Sequence, residues 1–392
     1  MPQMAPPFFI ACLKYAPGMW QHISSFGRNL LDRGYPVRFL LAPGFRWLNE
    51  DFGHLTYYPL PFRGRPSFLK NLLSLLWFPG LYLCRLFRHC PPAGVLLASW
   101  HPWNFLLARL VKKLSPDTPV LAWLHEPYKV EKKVYGAKGM AIVLVEWLQG
   151  LSLAFLDAAI VHSPRGLRLL ELGYPRYRGQ KRLIPLQFQD NGFEARAARN
   201  YISFLGRAEP AKGVDRFFDL VADLGAEAFN WQFQIVTASN IAGYLKKLSP
   251  AGRARLRVVN GPEISDAVIR QAAARSLAVL ALYKETTQSG VIPVALMKGT
   301  PIIGTDIEGI TDWVRDGETG KIVSANPSLA EIKEAITYIQ AHFKEMSERC
   351  RAHYLAIFDD RNWEREYGWV LELLPARGGR RVNSRGVDNG CR

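Results

Sequence analysis

Residues 201–213 read YISFLGRAEPAKG and residues 283–304 read YKETTQSGVIPVALMKGTPIIG. In the first stretch, Tyr201 to Leu205 is a short apolar run of the kind that forms a buried strand. Gly206 to Gly213 is a loop, and an amphipathic helix over Val214 to Leu224 follows. Ligands of open α/β sheets bind beyond the carboxyl ends of the strands, so Arg207 and Lys212 project where a phosphate would sit. Arg offers a planar fork and Lys a compact charge. Two ordinary loop charges would read the same way. This is not a Walker loop, because the lysine precedes the glycine, and it has no GxGxxG. In the second stretch, a strand ending near Leu282 leads into Glu285-Thr286-Thr287-Gln288-Ser289-Gly290, then a helix over about Val291 to Lys298. Gly299-Thr300-Pro301 turns the chain into another strand. Small residues and a glycine at a helix start expose backbone N–H groups, which with the helix dipole suit a diphosphate. A generic strand–turn–helix would look similar.

The same alternation extends outward. Further strands fit Phe233–Thr237, Arg255–Val259, Leu277–Ala281 and Pro301–Gly304. In the first half, Pro7 to Leu13 (PFFIACL) is a buried-strand run, followed by a turn at Ala16-Pro17-Gly18 and a helix over about Trp20 to Asp32, stopped by Gly34. Strands are then expected at Val37–Leu41, Leu55–Leu60, Gly94–Ala98, Pro119–Leu124 and Ala158–His162. Strands that alternate with helices, and are apolar throughout, argue for parallel sheets covered on both faces. The fold class is α/β, with two doubly wound units. Residues 184–200 (IPLQFQDNGFEARAARN) are polar and irregular and hold the expected boundary. That gives domains over 1–190 and 191–360. Ser328 to Phe343 and Lys344 to Phe358 read as two helices, and 361–374 as a third with an apolar stripe of Trp363, Tyr367, Trp369 and Val370. Residues 375–392 are Gly/Arg-rich and expected to be disordered.

The chain has 392 residues, enough for two domains, and a 48% hydrophobic share that excludes a largely disordered protein. Its net charge of +16 is uneven. Residues 1–190 hold 23 Lys+Arg against 10 Asp+Glu, a net +13, whereas 191–375 net −1 and 376–392 net +4. A basic half joined to a neutral half implies two different jobs; nucleic acid, an anionic membrane or an anionic substrate could each meet the basic half. Cys12, Cys84, Cys90, Cys350 and Cys391 form no CxxC pair, which reads as reduced and intracellular, and no Cys/His metal spacing occurs. No basic region followed by a long apolar run opens the chain, so no signal peptide is expected. Phe68 to Phe87 is strongly apolar but carries Lys70 and Arg85 and is broken at Pro79-Gly80. Its uncharged part is shorter than the ~20 residues needed to span a bilayer, so a buried or interfacial helix pair is expected. Met140 to Ile160 reads as a core helix followed by a strand.

Together, residues 201–213 and 283–304 resemble the family 4 glycosyltransferases of the GT-B fold, two Rossmann-like domains facing a central cleft. That family opens its second domain with a strand ending in G-R-x4-K-G, matched by Gly206 to Gly213. A donor-binding loop and helix follow, then G-x-P and a strand, matched by Gly299-Thr300-Pro301. A G-G-I-P-E-like turn stands here as Glu308-Gly309-Ile310-Thr311-Asp312, and a D-G-x-T-G run as Asp316-Gly317-Glu318-Thr319-Gly320. The resemblance covers nearly the whole chain and is most specific over 201–323. There are departures. The family's two glutamates, with seven residues between them, fall on Thr286, with Glu285 one residue off, and on Val294. Its I-P-N-G becomes Ile184-Pro185-Leu186-Gln187. The chain thus resembles a divergent member lacking the second glutamate.

The resemblance implies that Arg207 and Lys212 hold a nucleotide diphosphate and offset charge on the leaving group. It puts Thr286, Gln288, Ser289, Gly290 and Val291 in the donor-binding loop and helix start, and the base against Val258–Glu263. Gly18 would lie in the glycine loop that approaches the donor phosphates. His125, in Trp-Leu-His-Glu-Pro, would stand near the reacting sugar, and Glu285 would serve the donor sugar. On its residue context alone, His125 reads as a satisfied structural histidine. The implied reaction retains anomeric configuration and uses neither metal nor cofactor, the nucleotide sugar being a substrate. The first domain would bind a saccharide or lipid-linked saccharide acceptor, and the helix at 361–374 would cross back to it. With the charge placed there, the expected protein is cytoplasmic and peripheral on the anionic inner face of the plasma membrane. A soluble basic surface is the alternative. A GT-B sugar-nucleotide epimerase and a non-catalytic nucleotide-sugar or glycan-binding protein are competing readings. Nucleic acid is not an expected partner, since no reading motif accompanies the charge.

Overall fold

The computed structural model describes residues 5–14, 18–45, 54–57, 78–129, 138–193, 199–223 and 231–375. Two wholly parallel sheets organise them. The first contains β1 (Phe8–Cys12), β2 (Val37–Leu41), β3 (His54–Tyr57), β4 (Gly94–Leu97), β5 (Val120–Trp123), β6 (Ala158–Val161) and β7 (Gln180–Leu183), in the order β3-β2-β1-β4-β5-β6-β7. The second contains β8 (Tyr201–Leu205), β9 (Gln232–Thr237), β10 (Leu256–Asn260), β11 (Ser276–Ala281), β12 (Ile302–Thr305) and β13 (Gly320–Val323), in the order β10-β9-β8-β11-β12-β13.

The continuous apolar runs follow from burial of both sheet faces. Along β1, Phe8, Ile10 and Cys12 join one core cluster with Ile23, Phe26 and Leu30 of the helix Met19–Asp32. Phe9 and Ala11 point the other way, into a cluster with Leu83, Phe87, Leu107 and Val111 of the helices Gly80–His89 and Asn104–Leu114. A side-chain period of two thus has no polar phase to display. The second sheet is covered in the same way. Phe217, Leu220 and Val221 of the helix Val214–Asp223 lie on one face, and Ile292, Ala295 and Leu296 of the helix Val291–Met297 on the other. Burying such side chains contributes roughly 1.5–3 kcal/mol each.

The chain divides between Pro185 and Leu186 and returns to the first unit at Trp363. The first crossing is five residues earlier than the expected boundary at 190, and the second is two residues after 361, the expected start of the terminal helix. The stretch after Pro185 is irregular but firmly attached to the second unit. Leu186 and Phe188 are buried in its core, and Arg351 holds the Asp190 carboxylate at 2.9 and 2.5 Å. Lys298 donates to the carbonyls of Asn191 and Gly192. Arg351 accordingly keeps the Asp190 carboxyl below its ordinary range, against a smaller opposing effect of burial. The helical stretch Leu329–Ile357 is two helices meeting at a kink at His342, within two residues of the break expected between Phe343 and Lys344. Two strands are absent from the sequence pattern: β7 (QKRL), an edge strand, largely exposed and polar, and β13 (GKIV), also an edge strand, with Lys321 and Ile322 only partly buried. The helix Trp363–Leu373 packs on the first sheet, its Trp363 and Tyr367 rings 5.8 and 5.0 Å from that of Phe26. Residues 58–60 of an expected strand, 68–77 of the apolar segment, Ala16-Pro17 and the tail from 376 lie outside the described residues.

Candidate functional site

All strands of a parallel sheet share one carboxyl edge, and ligand crevices form where the strand order reverses. In the second sheet that switch lies between β8 and β11. The loop after β8 is Gly206 to Gly213, and the loop after β11 runs through Tyr283 to Gly290. Gly206 has φ +96° and still donates its N–H to Val236 at 2.9 Å, so the ladder ends in a sharp turn. Gly213 has φ +73°, and a Cβ there would overlap the Leu282 carbonyl; only glycine lets the two loops close on one another. The Lys284 N–H, donating to the Ala211 carbonyl at 2.9 Å, joins them further.

This closure fixes Lys212. Its ammonium donates to Thr286 Oγ1 at 3.2 Å and lies 4.0 Å from the centre of the Tyr283 ring. Thr286 in turn donates to the Gln288 carbonyl at 2.7 Å. The Tyr283 hydroxyl, buried, meets Ser289 Oγ at 3.0 Å. Burial pushes that phenol up from its ordinary value, the Ser289 hydrogen bond and the Arg207 charge opposing, so it remains a neutral hydrogen-bonding group. Arg207 is 75% exposed and paired only loosely to Glu209, at 3.2 Å. Such a pair is worth about 0–1 kcal/mol and exchanges readily for a phosphate. Gly290 opens the helix Val291–Met297, and the nearest atom to a Cβ placed on it would be Phe188 Cζ at 3.9 Å, so a ligand can approach its backbone. Two cations, two hydroxyls and this helix start can hold an anion with more than one phosphate group.

Three further features complete the edge. Gly309, at φ +84°, brings the turn after β12 against the Thr286 carbonyl, where a Cβ would clash. Asn260 ties the ends of β10 and β9 by donating to Thr237 and Ser239 carbonyls at 2.6 and 2.9 Å. Ser239 Oγ accepts from the Ala208 N–H at 3.0 Å. Glu263 is exposed three residues beyond β10, and Glu285 is exposed in the β11 loop. Val294 is buried in the apolar cluster under the loop, so this position offers no polar atom to a ligand.

The first sheet switches between β1 and β4. There the Lys14 N–H donates to Ser99 Oγ at 3.2 Å, and Asn104 donates to the Ser99 carbonyl at 2.9 Å. His101 is buried and accepts the Trp103 N–H at Nδ1, 3.3 Å away. Burial first, and then the Lys14 charge, lowers it to about 4, so it is neutral at ordinary pH. Gly18 starts the helix Met19–Asp32, and a Cβ at that position would have nothing within 4 Å among the described residues. His125 is half-buried, with Nε2 3.4 Å from the Ala98 carbonyl and its ring stacked on His162, centroids 4.7 Å apart. Among the described residues, no group of three or more His, Cys, Asp or Glu is disposed to hold a metal.

Residues 199–342 match the family of glycosyl transferases group 1. Over 270 residues, 64% of this chain and 67% of the relative, the sequence is 22% identical to an alpha-D-kanosaminyltransferase of Streptomyces kanamyceticus. The structure resembles the sucrose-phosphate synthase of Thermosynechococcus elongatus with a TM-score of 0.72 at 16% identity, covering 94% of this chain and 98% of that one. It also resembles Anabaena HepE in complex with UDP, with a TM-score of 0.69 at 14% identity, covering 94% and 100%.

The fold is of the GT-B type, and the glycosyl transferases group 1 match lies within its second unit.

Within the second unit, the tertiary structure gathers Arg207, Lys212, Thr286, Gln288, Ser289, Gly290 and Val291 at one switch point. Glu285 stands in the same loop, and Glu263 at the more distant β10 end. Gly18 and His125 belong to the first unit, beyond the ends of β1 and β5. Sequence reasoning passes over Tyr283, His101 and His162. Tyr283 reads only as the residue that follows a strand ending near Leu282. His162 reads as the last residue of a strand, although it lies two residues past Ile160, just as His125 lies two past the paired Trp123.

Proposed function

We propose that this protein is a glycosyltransferase that moves a hexose-type sugar from a nucleotide-sugar donor to a glycan or lipid-linked saccharide acceptor, with retention of anomeric configuration, in polysaccharide or glycoconjugate biosynthesis. The observation that carries the reading is the closure of the 206–213 loop on the β11 loop, which holds the Lys212 ammonium between Thr286 and the Tyr283 ring beside an exposed Arg207. Bond cleavage between sugar and diphosphate leaves negative charge on the departing phosphate. Preorganised cations there stabilise the transition state more than the ground state. On this reading Arg207 and Lys212 do that without a metal, the Gly290 and Val291 backbone contacts the same phosphates, and Glu285 and His125 serve the reacting sugar. Departure and attack occur on one face of the sugar. Since HepE binds UDP, uridine nucleotides head the donor panel. Protection against thermal unfolding by each nucleotide sugar, followed by donor hydrolysis in the presence of EDTA, tests the proposal. Arg207→Ala should abolish protection; protection that survives removes the phosphate assignment.

The acceptor belongs, on the same reading, to the first unit, docked peripherally on an anionic cytoplasmic membrane face. No helix among the described residues is long and apolar enough to cross a membrane. The helices Gly80–His89 and Lys138–Leu153 leave Leu81, Tyr82, Val143, Leu144 and Trp147 exposed, and Arg85, Arg88, Arg109 and Lys113 are cations on the first of these and on the helix Asn104–Leu114 between them. Apolar side chains flanked by cations suit an anionic interface. Cosedimentation with anionic but not neutral vesicles is expected, and equal or absent binding removes this part. A non-catalytic donor-binding role is the second reading, favoured by the buried Val294 where the resembled family has a glutamate. Protection by a nucleotide sugar, with neither hydrolysis nor transfer on any acceptor, would select it.

A further inference from the structure

His162 is a fully enclosed histidine of the first unit, and the proposed reaction gives it no task. Its place follows from strand register. β5 and β6 are parallel neighbours in which Trp123 pairs with Ile160. The Leu124 N–H continues the ladder to the Ile160 carbonyl at 2.8 Å. Two residues past that pair, His125 stands level with His162. Neighbouring strands are about 4.8 Å apart, and registered side chains of parallel strands share a face. The two imidazoles accordingly stack at 4.7 Å with 29° between their planes. The Trp123 ring meets His162 edge-on at 5.7 Å.

The second ingredient is the tautomer. His162 Nδ1 lies 2.9 Å from the Ile184 carbonyl. A carbonyl only accepts, so Nδ1 carries the hydrogen and Nε2 is the lone-pair nitrogen. Nε2 is buried and has no hydrogen-bond partner among the described residues. Protonating it would bury an N–H without an acceptor and place a cation against the face of His125. The titratable groups facing His162 are His125 and His22, the latter on the helix Met19–Asp32. Burial, then His125, then His22 hold His162 well below the ordinary imidazole range, against the opposing Ile184 bond.

We infer that His162 is a positioning residue for His125. As a neutral ring locked by the Ile184 carbonyl, it holds the His125 ring by its face and leaves that ring's in-plane nitrogens to meet hydrogen-bonding groups. This rests on His125 serving the sugar transfer, but its first test does not. In the intact protein labelled with ring-15N histidine, His162 should show the Nδ1–H tautomer and no titration between about pH 5 and 8. His162→Ala should shift the His125 ring signals, and His162→Phe, which keeps a stacked face, should shift them less. A titrating His162, or a His125 signal indifferent to His162→Ala, overturns the inference whether or not the chain transfers sugar. In the transfer assay, His162→Ala should lower kcat about tenfold to a hundredfold, the cost of a misplaced group, with donor KM within about twofold. His162→Phe should recover most of it. An unchanged kcat in His162→Ala, or a loss that His162→Phe does not recover at equal thermal stability, overturns it as well.

Discussion

The two units share a strand order at their switch points but arm them differently. In both, the strand following the reversal runs beside the first strand of the unit, β4 beside β1 and β11 beside β8. In the second unit, the loops there carry permanent cations, Arg207 exposed and Lys212 half-buried, with hydroxyls around them. In the first unit, the corresponding edge carries buried imidazoles, His101 held neutral by burial and by Lys14, and His162 stacked under His125. The same backbone scaffold thus offers fixed charge on one sheet and neutral, directional hydrogen-bonding groups on the other. Charge composition makes the contrast a local one. The second half nets −1 over residues 191–375, so its candidate anion site consists of placed cations and not of a basic field.

The largest expected effect breaks the cationic side. Removing both cations with Arg207→Ala/Lys212→Ala should eliminate thermal protection by nucleoside diphosphates, since hydrogen bonds to charged groups contribute about 1.5–3 kcal/mol each, more than a hundredfold in affinity together. The ligand-free melting temperature should stay close to wild type; retained protection would move the anion site elsewhere.

The imidazole side is tested by pH. His101 is neutral in the folded state down to about 4, against about 6.5 when unfolded. Between these values the unfolded chain binds more protons, so unfolding free energy falls as pH drops from about 6.5 to 4, by up to about 3 kcal/mol from this residue. Urea titrations across that window should show the loss, and His101→Asn should flatten it. A slope unaffected by His101→Asn contradicts the buried neutral assignment.

Glycines sharpen the comparison. Gly213→Ala should cost about 1–3 kcal/mol or more, because its positive φ and the Leu282 carbonyl leave no room. Gly18→Ala, at φ −65° with open space around it, should leave stability within about 0.5 kcal/mol. Chemical denaturation of the two variants separates them, and equal costs would refute the difference in loop closure. The smallest effect is Thr286→Ala, which removes one partner of Lys212 and should weaken diphosphate binding by about 1 kcal/mol in a calorimetric titration. A loss as large as that of the double cation variant would make Thr286 a direct ligand.

The strands were legible because parallel sheets buried on both faces spell out as apolar runs, from Phe8–Cys12 to Ser276–Ala281. The exceptions are instructive. β7 is polar because an edge strand has a solvated side. The turn after Pro185 reads as a linker because its composition is polar, whereas Asp190, Asn191 and Gly192 are fastened by Arg351 and Lys298 from distant parts of the chain. Arg207, Lys212 and the TQSG run can be picked out of the sequence because loop position and residue type alone make an anion site plausible. Tyr283 cannot, since an aromatic at a strand end is ordinary until Lys212 is found above its ring.

By itself, the sequence determined the α/β class, the two doubly wound units and which loops hold the candidate anion site, because these depend on local period, glycine positions and charge. Only the tertiary structure decided where the second unit begins, what holds Lys212, and that His125 and His162 are stacked. Those depend on strand register and on residues far apart in the chain. His125 and His162 are both written after short apolar runs, but whether two such histidines meet is fixed by which strands are neighbours and how they are aligned, and no local pattern encodes that.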